Sequence, residues 1–96
     1  MGAATFVTKV EAKNAKEAFK IAVEEAQYNF GHAGYTGTIA EKSEFTMISV
    51  PGGVAYHDHI NTLINNDDKR IEDKWGPAGC IEIENGKYVF FGWASE

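Results

Sequence analysis

The chain holds little of what marks a secreted disulfide protein, a nucleic-acid binder or a membrane protein. Its single cysteine, Cys80, excludes an internal disulfide and a cysteine zinc cluster, and fits a reducing compartment. Its single arginine is Arg70, and nine basic side chains stand against fourteen acidic ones, a net charge of −5. A nucleic-acid groove needs a basic field, so none is expected. No stretch approaches the ~18 apolar residues of a membrane span, and no membrane partner is expected. The opening Met1-Gly2-Ala3-Ala4-Thr5-Phe6 lacks the basic start and apolar run of a signal peptide. Phe6 also stands where a myristoylation signal wants Ser or Thr. A cytoplasmic location is the resulting expectation.

What is present is enough for one packed unit. Ninety-six residues with 44% hydrophobic and 12% aromatic content predict a single domain over 1–96 with a real core. The acidic excess lies mostly in the second half, with four basic and eight acidic side chains in 51–96 against five and six in 1–50. A solvated surface explains it.

The hydrophobic pattern predicts an α+β domain: two layers, an antiparallel-rich sheet of about five strands, one long helix and a second shorter one. Residues 3–11 alternate as a first strand. A helix follows over 15–30, opened by Asn14 and Glu17 at capping-box spacing and closed by Gly31. Its stripe of Ala15, Ala18, Phe19, Ala22, Val23, Ala26 and Phe30 is rich in alanine, which predicts close approach to a sheet. Ile21 and Tyr28 lie off that stripe, as a satellite contact or a subunit interface.

Residues 36–41 and 45–50 read as two strands joined by a polar turn, and 55–66 as the second helix. A short turn around 69–74 is expected to carry Ile71 and Trp75 inward. Glu84-Asn85-Gly86-Lys87 predicts a type I′ hairpin. A regular two-residue hairpin then puts Ile81, Ile83, Tyr88 and Phe90 on one face. The other face carries Glu82, Glu84, Lys87, Val89, Phe91 and Trp93. So small a domain has few elements to cover both faces. Val89, Phe91 and Trp93 therefore point to another subunit, a ligand or the 69–75 segment.

Several constellations carry chemical potential. Gly31-His32-Ala33-Gly34-Tyr35-Thr36-Gly37-Thr38 mixes glycines with hydroxyls and one imidazole. Such a loop lets a ligand approach backbone N–H groups and can cradle an anion. It lacks a Gly-Lys-Ser/Thr ending and follows a helix instead of opening one, so a tight helix-to-strand connection explains it as well. Glu41 can grip a ribose or amine or act as a base, and Lys42 can meet an anion; a charged turn is the plainer account. His57-Asp58-His59 would direct both rings to one side on a strand but splays them on a helix. A metal site is therefore not expected, and no cofactor is called for. A histidine contact to a ligand carboxylate or phosphate remains open for His57. Asp73-Lys74-Trp75-Gly76-Pro77 offers a carboxylate, an ammonium and an indole that either stacks on a ligand or fills the core.

Three segments carry a resemblance: Gly34-Tyr35-Thr36-Gly37-Thr38-Ile39-Ala40-Glu41-Lys42, Asp73-Lys74-Trp75-Gly76-Pro77-Ala78-Gly79 and Phe90-Phe91-Gly92-Trp93-Ala94-Ser95. With them the chain resembles a family of small uncharacterised proteins of phages and bacteria. The resemblance implies no catalytic residue. Small phage proteins are often oligomeric inhibitors, and some sequester host nucleotide signals, so it favours binding over metabolism. The expectation is a homo-oligomeric protein that binds a small anionic molecule such as a nucleotide. The candidate ligand contacts are His32, Gly34, Tyr35, Thr36, Gly37, Thr38, Glu41, Lys42, His57 and Trp75. Ile21, Tyr28, Val89, Phe91 and Trp93 are the candidate interface. The alternatives are a protein-binding inhibitor anchored by Phe91 and Trp93, and a small histidine-dependent hydrolase or isomerase.

Overall fold

The computed structural model describes residues 2–31 and 36–95. Strand β1 (Ala3–Glu11) leads into helix α1 (Ala15–Phe30). Asn14 Oδ1 accepts the Glu17 N–H at 2.8 Å, as the capping spacing predicts. Gly31 ends the helix with φ +87° and its N–H on Gln27 C=O at 2.8 Å. A 3-10 turn (Ile39–Glu41), strand β2 (Phe45–Met47), helix α2 (Tyr56–Asn65), and strands β3 (Ala78–Glu84) and β4 (Lys87–Ser95) complete the order. The sheet runs β1-β4-β3-β2.

The expected class is right in outline and differs in four details. The sheet has four strands and is mixed: β1–β4 and β3–β4 are antiparallel, whereas β2–β3 is parallel. Residues 39–41 do not form a strand, because side chains take over the local backbone. Thr38 Oγ1 accepts the Ala40 N–H at 3.2 Å, and the Glu41 carboxylate accepts the Thr36 N–H at 3.2 Å. These bonds compete with a ladder. Strand β2 keeps only three of the six residues expected over 45–50. Its last link is Ile48 N–H to Cys80 C=O at 2.8 Å, after which the chain turns away through Pro51.

The third difference is the layering. Adjacent parallel strands need a crossover, and α2 is part of the one between β2 and β3. It covers the face opposite α1, so the sheet lies between two helical layers instead of under one. Ala18, Ala22 and Ala26 of α1 meet Phe6, Phe90 and Ala94 on the first face. Phe19 closes that core with ring centroids 5.1 Å from Phe45 and 5.5 Å from Phe90. Ile60 and Leu63 of α2, with Ile48 and Ile71, meet Ile81, Val89 and Phe91 on the second face.

The fourth difference is the hairpin register. Ile81 opposes Val89 and Cys80 opposes Phe90, with a shift between Glu82 and Glu84. Gly86 has φ +84°, but Asn85 is not in the positive-φ region, so the turn is not type I′. The extra residue, Ile83, takes up the difference as a bulge. One residue of slip moves every preceding side chain to the other face. Ile81 therefore joins Val89 and Phe91, while Cys80 joins Phe90.

Candidate functional site

Strand directions place the beginnings of β1, β2 and β3 and the end of β4 at one end of the molecule. The 36–42 segment and the 73–76 turn meet there. Their junction is Lys42, which follows the 3-10 turn with its N–H on Ile39 C=O at 2.9 Å. Its side chain runs inward and the residue is only 4% exposed. Nζ donates to the carbonyls of Asp73 (3.2 Å), Lys74 (3.2 Å) and Gly76 (3.0 Å). An ammonium has three protons, and all are used. Burial pushes the Lys42 pKa below the ordinary lysine value, and the negative charge of Asp73 pulls it back upward. Lys42 is thus a fastener between two segments and has no donor left for an anion.

Glu41 fastens the other side of the loop. Its Oε2 accepts the Thr36 hydroxyl at 2.7 Å and the Thr36 N–H at 3.2 Å. Thr36 and Thr38 Oγ1 lie 2.8 Å apart. Because the Thr36 proton goes to Glu41, the Thr38 hydroxyl donates to Thr36 Oγ1. Thr38 Oγ1 in turn accepts the Ala40 N–H. The Gly37 N–H reaches Ser95 C=O at 2.7 Å, tying the loop to the end of β4. The polar groups of Thr36, Gly37, Thr38 and Glu41 therefore serve the loop's own frame. Sequence reasoning singled out these residues for a ligand, and the structure gives them to one another.

Trp75 is the opposite case. The expected inward turn does bury Ile71, at 1% exposed, but Trp75 points out at 61% exposed. Its backbone is held firmly: the Trp75 N–H donates to Asp73 Oδ1 at 2.8 Å, and the Gly76 N–H to Asp73 C=O at 2.9 Å. Lys42 grips the same turn from beneath. Lys74 Nζ lies 5.7 Å from the Trp75 ring centroid, within cation–π reach of about 6 Å, and donates to Gly2 C=O at 3.3 Å. The arrangement presents an indole face with an ammonium beside it on a braced turn. The Asp73, Lys74 and Gly76 carbonyls that bind Lys42 carried no sequence signal, since backbone acceptors have no residue code.

The remaining candidates scatter. His32, Gly34 and Tyr35 lie outside the described residues. His57 is exposed near the start of α2, with Nε2 3.8 Å from Asp58 Oδ1. That helix begins at the other end of the molecule, where Lys9 Nζ sits 5.4 Å from the Tyr56 ring centroid. Among the described residues no group of three His, Cys, Asp or Glu side chains is placed to hold a metal ion. Of the three partners expected for Val89 and Phe91, the 69–75 segment is the one found: both are 0% exposed and lie in the core with Ile71 and α2. They are closed to a second copy or a host factor. Trp93 is half-buried, and its indole N–H is buried with no acceptor among the described residues. Ile21 packs partly against the first core, and Tyr28 is 91% exposed. Burial and the nearby charge of Glu82 push the Cys80 thiol up to about 12, which removes it as a nucleophile. No described helix is long and apolar enough to cross a membrane.

Comparison with protein-family models, curated proteins and solved structures finds no match.

Proposed function

We propose that the chain is a small-ligand-binding protein whose recognition surface is the braced turn around Trp75, and that its ligand is a planar anion such as a nucleotide. The observation that carries this is a mostly exposed indole on a turn that a buried lysine holds through three carbonyls. A large aromatic that stays exposed while its backbone is tightly held loses little freedom on binding. It offers a stacking face for a base. Lys74, beside the ring, supplies a cation for a phosphate. Thr36, Thr38, Glu41 and Lys42 act as the frame of this surface and not as ligand contacts. In the described part of the site the Thr36 hydroxyl and the Glu41 carboxylate lie 2.7 Å apart, but both are closed into the loop's own frame, which favours binding over turnover.

The test is a fluorescence titration of the full chain against a panel of nucleotides and cyclic dinucleotides. At least one member should quench saturably. Trp75→Ala should abolish the response, Lys74→Met should weaken it, and Trp93→Phe should leave it in place. Silence across the panel, or unchanged binding by Trp75→Ala in calorimetry, contradicts the proposal.

A further inference from the structure

The free edge of β1 is a second surface, which meets the frame of the site above where Gly37, Thr38 and Ile39 border the groove beside it. β1 pairs with β4 on one side only. The Ala12 N–H bonds Gly86 C=O at 3.0 Å, in register with the β1–β4 ladder. Alternation then turns the N–H and C=O of Ala3, Thr5, Val7, Lys9 and Glu11 away from β4. Among the described residues no strand pairs with that edge. The strand is nine residues long without proline, its register is unbroken, and Val7 is 56% exposed; Lys9 and Glu11 are the charged residues along it.

Helix α1 overhangs the same edge. A groove of about 330 Å³ runs between β1 and α1, bordered by Ala22, Glu25, Ala26 and Asn29. It shares Glu25 and Asn29 with a hollow of about 350 Å³ that adds Ile21, Glu24 and the exposed Tyr28. A strand edge and a small-residue trough thus lie beside the Glu25 carboxylate, with Glu24 further round the helix in the adjoining hollow.

We propose that this edge is a docking site for an extended segment of another protein, in which basic and apolar side chains alternate. The segment adds as a fifth strand. Its main chain meets the outward N–H and C=O groups of β1, and its side chains divide between the two faces of the sheet. The row on the α1 side lays aliphatic stems over Ala22 and Ala26 and brings cationic heads to Glu24 and Glu25. The row on the other side lies beside Val7 and is apolar. Charge selects this occupant over a second copy of the chain. Each copy carries −5, and pairing two β1 strands about a twofold axis at Val7 turns the Glu24–Glu25 flanks of both helices toward that axis. Like charges at the axis oppose such a dimer.

The probe is a capped peptide of about ten residues, a typical strand length, alternating lysine and valine. Its controls are the matching glutamate–valine peptide and a lysine–valine peptide N-methylated on the edge that faces β1. Amide shifts and hydrogen exchange are read on the full chain. The lysine–valine peptide should slow exchange at Thr5, Val7 and Lys9 and bind at least about tenfold tighter than either control. The double variant Glu24→Gln, Glu25→Gln should weaken it several-fold while exchange in β3 and β4 stays as in the parent. Equal binding of the acidic or N-methylated peptide overturns the proposal, as does an unaffected double variant. Sedimentation of the free protein as a dimer with β1 already protected overturns it in favour of a second copy.

Discussion

Two lysines at opposite ends of the molecule make nearly opposite uses of the same charge. Lys42 is 4% exposed and spends its ammonium on three backbone carbonyls. Lys87, at the hairpin end, is half-exposed and lies 2.9 Å from Glu84 and 3.8 Å from Glu11. The Lys87 contacts join side chains that water would solvate equally well, so they shape little. The Lys42 contacts join chain segments 31 to 34 residues apart. The difference is that a cation bonded to backbone fixes geometry, whereas one bonded to carboxylates decorates it. The Trp75 surface exists because the first kind stands beneath it.

Five substitutions and one alkaline titration test this contrast. The largest effect is expected at Lys42. Lys42→Met keeps the apolar stem and removes the donor shared by three part-buried carbonyls, of which Asp73 C=O keeps the Gly76 N–H; this should cost about 1–3 kcal/mol in urea unfolding. Lys87→Met should show no resolvable change. Parity between the two would remove the distinction. Gly79→Ala comes next. A Cβ there would meet Phe91 Cζ at 2.6 Å and Ile71 Cγ2 at 3.0 Å, so overpacking should cost roughly 1–3 kcal/mol. A neutral result would mean that the second core yields under the 69–76 segment. At the hairpin end Gly86→Ala should cost about 1 kcal/mol through the positive φ alone, visible as a small drop in Tm.

Cys80 gives a pH test of the sheet centre between the two ends. Burial pushes its folded pKa up to about 12, from an ordinary thiol value of 9.0. The folded state therefore holds its proton where the unfolded chain loses it. Stability from this group is fully present below pH 9 and is lost as pH rises toward 12. Cys80→Ala should flatten that alkaline decline. In the parent, thiol reagents should react only after denaturation; prompt reaction at neutral pH would contradict the burial.

Much of the fold was legible in the sequence because it is written in side chains. The Asn14 cap and the alanine stripe of α1 come from local pattern, and so do α2 and the β3–β4 hairpin. Three features escaped because they are decided by backbone or by distant partners. The hairpin register depended on the φ of Asn85, which Asn-Gly chemistry permits but does not force. The β2–β3 pairing depended on α2 crossing the sheet, where a local reading saw a hairpin with 36–41. The site was legible as a set of unusual residues and not as an arrangement. Glycine, threonine and lysine in 36–42 drew attention correctly, but their hydrogen bonds turn inward. Trp75, readable from the sequence as core or as a ligand contact, stands outside the core.

The most direct test is the order of the Trp75 side chain with and without its fastener. In a Trp93→Phe background Trp75 is the sole tryptophan, and its fluorescence anisotropy decay reports the indole alone. Slow, nearly whole-molecule decay is expected in the background protein, and a large fast component once Lys42→Met is added, with the sheet still folded by circular dichroism. Identical decays in the two folded proteins would contradict it, since the turn would then hold Trp75 without Lys42.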